Sequence, residues 1–303
     1  MKQRLLPSVL ALSFFSIAVA PAQAELYITI VQGLGGEPRF DEQFHEQSRL
    51  IAEASAALTD DDKIRLYQGD EATRENLLAH FETISAQMTD EDRAAIYLIG
   101  HGSFDGESYK FNIPGLDIDN EDILNIMNAL PGENHFLLNT SSTSGALLEP
   151  LENENRILIT ATRSGNEKNA TFFGQYFVAA LTDDEADINK NNNISIQEAF
   201  DYAQRQVADY FEGQGQLATE HSEIRGEGAA QFVLARLNQN VIDAGDNPKL
   251  ADLQQQSEDI NRQIEDLQLR RTEFSNAEYI QQLQALILES ARINEAIEQL
   301  SSE

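Results

Sequence analysis

A single histidine, His101, follows the apolar run AAIYLIG, and a cluster of small hydroxyl side chains, TSSTSG at 140–145, follows the apolar run HFLLN. An imidazole and a serine hydroxyl are the composition of a base and nucleophile pair for acyl chemistry, provided the two come within hydrogen-bond reach. The chain has no cysteine, so neither thiol chemistry nor a disulfide is open to it. A third stretch, DINKNNNISIQE, offers oxygens at alternate positions. It fits a twelve-position calcium loop with Asp187 at position 1, Asn189 at 3, Asn191 at 5, Asn193 at 7 through its carbonyl, Ser195 at 9 and Glu198 at 12. A hard cation takes six to eight oxygens, and the last Glu would grip it bidentately. Asn192 stands where Gly is usual, and Asn tolerates the left-handed conformation that this position needs. Only two of these ligands are charged, which implies weak affinity, of order ~10⁻⁴ to 10⁻³ M. The same residues admit a second reading, because Ser195 and Glu198 also have the spacing of a helix capping box.

These groups need a scaffold. From Glu25 to about Leu237, short β-rich apolar runs alternate with amphipathic stretches, the pattern of a three-layer α/β fold: a mostly parallel sheet with helices on both faces. The expected strands are LYITIVQ, KIRLY, AAIYLIG, HFLLN, RILITAT and QFVLARL. The expected helices run from Phe40 to Ala57, Thr73 to Met88, Asn120 to Leu130, Ala170 to Leu181 and Ile196 to Phe211. Ligands of open parallel sheets bind at the carboxyl ends of the strands, which is where His101 and the serine cluster fall. Among the other histidines, His45, His80 and His135 fit packing or surface roles, and no two histidines have metal-ligand spacing.

Beyond Asn247 the composition turns to Gln, Glu, Leu and Ile. Leu253, Ile260, Leu267 and Phe274 recur every seven residues, and a second series runs Tyr279, Leu283, Leu286, Ile293, Ile297, Leu300. Ser275 and Glu278 have capping-box spacing, so residues 246–303 should form a C-terminal α-helical hairpin that packs on its own domain or pairs with a second chain as a homodimer.

Residues 1–24 combine Lys2 and Arg4, an apolar run and A-x-A at Ala22 and Ala24, which is the form of a cleavable signal peptide. The expected protein is therefore periplasmic or secreted, with its folded part at 25–245. No later run approaches the ~20 apolar residues of a membrane span. A formal net charge of −30 makes nucleic acid a poor partner and cations, calcium among them, good ones.

IYLIGHGSFDG resembles the His-Gly loop of the caspase and legumain (hemoglobinase) group of cysteine peptidases, and LLNTSSTSGALL is similar to the loop that carries that group's nucleophile. ITATRSGNEKNATFFGQYFVAAL, ISIQEAFDYA and LATEH resemble the segments downstream of that loop in legumain-like members, so the likeness spans most of residues 25–237. The resemblance implies His101 as general base, Ser142 at the nucleophile position, and backbone N–H groups of Gly102 and Ser142 as oxyanion hole. Here the sequence departs from the family, since Ser142 replaces its cysteine. A thiol with a pKa of about 8.5 is partly ionised at neutral pH, whereas a hydroxyl must lose its proton during attack to a closely aligned base. Asp105 could orient that base. Two functions are then open: a catalytically inactive homologue that binds a peptide or protein ligand, or a hydrolase using Ser142 with His101. A third is a calcium-stabilised scaffold acting through its helical tail.

Overall fold

The computed structural model describes residues 24–237, 247–271 and 274–301; the expected signal peptide lies, but for Ala24, outside the described residues. The chain runs β1 (Leu26–Gln32), α1 (Pro38–Ser55), β2 (Ile64–Tyr67), α2 (Arg74–Gln87), β3 (Arg93–Ile99), β4 (Gly102–Phe104), β5 (Tyr109–Phe111), β6 (Ile118–Asp119), α3 (Asn120–Ala129) and β7 (His135–Asn139). It continues with α4 (Leu148–Leu151), β8 (Arg156–Thr160), α5 (Phe173–Ala180), β9 (Asn193–Ser195), α6 (Ile196–Gly213), β10 (Glu223–Arg225), β11 (Val233–Arg236), α7 (Pro248–Leu269) and α8 (Asn276–Ser301).

Six strands form the central sheet in the order β10-β8-β7-β3-β1-β2, parallel except for β10 at one edge. The four inner strands, β8, β7, β3 and β1, are largely apolar on both sides because both faces are covered. Along β1, Leu26, Ile28 and Ile30 face α1, α5 and α6, while Tyr27 and Val31 face α2 and α3. Within α6, Ile196, Ala199, Phe200, Ala203, Val207 and Phe211 recur at helical spacing and enter the first of these cores. Ser195 and Glu198 make the reciprocal capping box that opens that helix.

The expected strand QFVLARL does not join the central sheet. Its central part is β11, which pairs antiparallel with β9 in a separate two-stranded sheet. An apolar run states that a segment is buried, not which neighbour it pairs with. Residues 102–119 fold as a three-stranded antiparallel meander, β4-β5-β6, at the carboxyl end of β3.

Helices α7 and α8 pack on one another through Ile260, Ile264 and Ile293, with Leu253, Leu283, Leu286 and Ile297 around them. Ser275 and Glu278 bond reciprocally at the start of α8, Ser275 N–H to Glu278 Oε2 at 3.1 Å and Glu278 N–H to Ser275 Oγ at 3.3 Å. Among the described residues no helix is long and apolar enough to cross a membrane.

Candidate functional site

The direction of the sheet reverses after β1: the chain leaves to β2 on one side and returns to β3 on the other. In open parallel sheets ligands bind beside such a switch point, which here lies at the carboxyl ends of β1 and β3. Two glycines pack against each other there. A Cβ on Gly100 would sit 3.0 Å from Gly33 Cα and 2.9 Å from the Phe111 ring, so only glycine permits this approach. Gly35 is held by its N–H to Asp41 Oδ1 at 2.8 Å, which ties the β1 loop to the first turn of α1.

His101 stands at this edge of the sheet, half-buried. Its imidazole lies edge-on to Phe40 at 4.7 Å and to Phe44 at 5.0 Å, both from α1. Burial lowers its pKa, and a backbone hydrogen bond with Gly35 and the charges of Glu37 and Asp41 oppose the shift. A neutral imidazole is the form a general base requires.

The serine cluster stands one strand away, where β7 ends beside β3. Its hydroxyls are ordered by a directed chain of buried groups. Asn139 Nδ2 donates to the Tyr109 hydroxyl at 2.8 Å, the Tyr109 and Ser141 oxygens are 2.6 Å apart, and Ser141 Oγ donates to the Ser142 carbonyl at 3.1 Å. Each hydroxyl has one proton, so Ser141's donation fixes Tyr109 as the donor before it. Asn139 also closes the turn by accepting from Ser141 N–H at 3.0 Å. Thr143 comes next in the left-handed conformation, φ 61°, with its N–H on the Glu167 carbonyl at 2.8 Å. Gly145 then passes so close to the β8 loop that a Cβ would lie 2.1 Å from Ser164 N. Neither Ser141 nor Ser142 caps the short helical turns downstream, because their hydroxyls serve these other partners.

Ser142 Oγ donates to the Gly102 carbonyl at 3.0 Å across forty positions of sequence. The two loops that the sequence singled out therefore meet. What Gly102 presents to Ser142 is an acceptor carbonyl, and the imidazole of the preceding residue is held against the α1 aromatics. Gly102 itself has no room for a side chain, with Ser141 Oγ 2.5 Å and the Tyr109 hydroxyl 2.6 Å from where a Cβ would stand. Asp105 is spent on the β4–β5 turn, its Oδ1 accepting from Glu107 and Ser108 N–H groups at 2.9 Å.

Four further side chains tie down the loop beside Thr143; they lie in segments that carry the resemblance, RSGNE and LATEH, but nothing in those segments assigned them a role. Glu167 binds His221 Nδ1 at 2.8 Å and Arg163 Nε at 3.1 Å. Glu220, buried, accepts from the Phe172 and Phe173 N–H groups at the start of α5. Burial pushes its pKa up to about 7 against those hydrogen bonds, with Glu167's charge adding to the rise. The LATEH segment thus straps the loop that holds Thr143, a task its composition alone does not announce.

In the Asp187–Glu198 loop, Asp187 Oδ1 accepts from Asn191 N–H at 3.1 Å and Oδ2 from Asn192 N–H at 2.9 Å. Asn191 Oδ1 accepts from Asn193 N–H at 2.8 Å. Glu198 Oε1 accepts from Ile188 N–H and Asn189 Nδ2, and Oε2 from the Ser195 N–H and hydroxyl. Asn192 takes the left-handed conformation, φ 60°. Among the described residues no three His, Cys, Asp or Glu side chains cluster as a metal site; the loop's other donors are amide and hydroxyl oxygens.

Neither a protein-family model nor a curated protein matches the chain. Among solved structures it is similar to protein GSU0716 from Geobacter sulfurreducens, with 10% identity, a TM-score of 0.49, and coverage of 71% of this chain and 100% of that one.

Proposed function

We propose that this chain is an exported, calcium-stabilised peptide- or protein-binding module with a caspase and legumain-like layout, in which the position of the nucleophile has lost its reactivity. The observation that carries this reading is the Ser142 hydroxyl, whose proton is given to the Gly102 carbonyl at 3.0 Å. A carbonyl cannot act as a base, so that bond orders the loop without activating the oxygen. The change from sulfur to oxygen acts in the same direction, because an alcohol has no ionised fraction to draw on at neutral pH. The strand edge where Gly35, His101 and Ser142 fall, the place of the ligand crevice in an open parallel sheet, offers what an extended ligand needs: the partly exposed ring of Phe40 beside convergent polar groups.

Asp187, Asn189, Asn191, Asn193, Ser195 and Glu198 would hold the calcium ion. Asp187 and Glu198 are buried, 3% and 8% exposed, and the hydrogen bonds made to them come from neutral N–H and O–H groups. Buried carboxylates with neutral partners are what a bound divalent cation would neutralise. When bound, it would stiffen the entry to α6, and α6 in turn supports the face of the sheet behind the crevice. Helices α7 and α8 complete the reading as a C-terminal hairpin.

The experiment immobilises the mature chain and exposes it to the peptides of a mixed tryptic digest, read by mass spectrometry. The expected result is retention of a subset of peptides, intact, with retention weakened by Phe40→Ala, a change at a partly exposed ring. Failure to retain any peptide removes the binding claim. New peptide ends that vanish in Ser142→Ala would instead establish a serine hydrolase.

A further inference from the structure

Helix α8 has two apolar faces. One packs on α7 through Leu283, Leu286, Ile293 and Ile297. The other carries Ala277, Ile280, Gln284, Ile287 and Ala291, every one of them exposed, with Ile280 at 47% and Ile287 at 40%; Leu288, at 60%, flanks the stripe. At about 100° per residue these five positions fall within roughly 80° of one another, and their spacing alternates between three and four, which is the seam pattern of paired helices.

The order of residue types along this stripe is Ala, Ile, Gln, Ile, Ala. It reads the same in both directions, with Gln284 at its centre. A two-fold contact demands a self-complementary surface, whereas a different protein places no such demand on the sequence it meets. The charge distribution points the same way. In a chain of net charge −30, the ten residues from Tyr279 to Leu288 contain no charged side chain, and Glu278 and Glu289 stand just outside. A basic partner would be met by acidic residues along the stripe; a second, equally acidic copy is met best by a neutral one.

We propose that this face of α8 pairs with a second copy of the chain, antiparallel, about a two-fold axis at Gln284. Ile280 of each copy then packs against Ile287 of the other, and Ala277 against Ala291. The two Gln284 amides meet on the axis, where they bond to each other and fix the register. The alanines at both ends let the helices approach closely. Together with α7 of each copy the arrangement is a four-helix bundle, which buries the apolar face that the helix pair leaves open.

The test uses the mature chain at about 100 µM, a concentration suited to a contact of this modest size. Sedimentation velocity should show a dimer. The double variant Ile280→Glu, Ile287→Glu should sediment as a monomer while the melting temperature of the α/β part stays unchanged. The chain has no cysteine, so an introduced one is the only thiol. A short bis-maleimide spans the ~8–10 Å between packed helices, so it should join Gln284→Cys chains into covalent dimers and leave Gln282→Cys chains, on the far side of α8, uncoupled. A monomeric wild-type protein, a dimer that survives the double variant, or equal coupling at both cysteines would overturn the proposal. The cysteine pair decides the matter even if the glutamates unfold the helices.

Discussion

Replacing Tyr109 by Phe removes one oxygen from the middle of the chain of buried groups that orders the serine loop and leaves the ring in place. Tyr109 is 1% exposed, and burial raises its pKa, so its phenol is neutral at every pH of interest. Without the hydroxyl, the Asn139 amide loses an acceptor at 2.8 Å and Ser141 Oγ loses a donor at 2.6 Å, in residues that are 0% and 1% exposed. Ser141 keeps its bond to the Ser142 carbonyl, so one group is stranded outright and one is half-satisfied. Each buried unsatisfied group costs ~1–3 kcal/mol, which gives an expected loss of about 2–3 kcal/mol. For a domain of this size that lowers the melting temperature by about 5–10 °C. Urea unfolding followed by circular dichroism measures it. A double-mutant cycle with Ser141→Ala should return a coupling of about 1 kcal/mol or more, since the two side chains share one hydrogen bond. A Tyr109→Phe protein within ~0.5 kcal/mol of wild type, the change expected where a hydroxyl has no buried partner, would refute the chain of bonds as the agent that shapes the loop.

Glu220 gives the fold a pH dependence. With its pKa pushed up to about 7 in the folded chain from an ordinary 4.5, folded protein holds a proton that unfolded protein has lost between those values. Stability should therefore be full below pH 4.5, fall by about 3 kcal/mol on rising to pH 7, and level off above it; urea midpoints for Glu220→Gln should lack this component, and an unchanged slope would contradict it. Gly145→Ala should cost about 3 kcal/mol or more, because the clash is with backbone at 2.1 Å from Ser164 N, whereas Gly213→Ala at the end of α6 meets nothing and should be neutral or stabilising by about 0.5 kcal/mol. Calcium at about 5 mM should stabilise the protein by about 1–2 kcal/mol over chelator, given an affinity of ~10⁻⁴ to 10⁻³ M, and Glu198→Gln should abolish most of that gain. A melting temperature indifferent to calcium would retire the metal.

The inner strands β1, β3, β7 and β8 were legible because each is a largely apolar run buried on two faces, and the order of those runs placed His101 and Ser142 at neighbouring strand ends. The β4-β5-β6 meander was not. Its strands, GSF, YKF and ID, are too short to show a period, so Tyr109, the residue that orders the serine loop, passed unnoticed. Strand β10 was missed for the same reason, and β11 was assigned to the wrong sheet because pairing partners are not written into a short hydrophobic run. Side-chain direction at the site depends on three things that sequence order does not state: the left-handed turn at Thr143, the close glycine contacts at Gly102 and Gly145, and the packing of Phe40 and Phe44 around the imidazole. The capping box at Ser195 and Glu198, by contrast, could be read directly, since its two bonds depend only on residues three apart.

Whether Ser142 is an ordered hydroxyl or a nucleophile decides between a binding module and a hydrolase. A serine oxygen that a neighbouring base can deprotonate attacks the phosphorus of a fluorophosphonate probe and expels fluoride, and the adduct is read directly as added mass on the intact chain. The prediction is no adduct on Ser142 from about pH 6 to 9, in wild type and in Ser142→Ala alike. Stoichiometric labelling of the wild type that disappears in Ser142→Ala would contradict it.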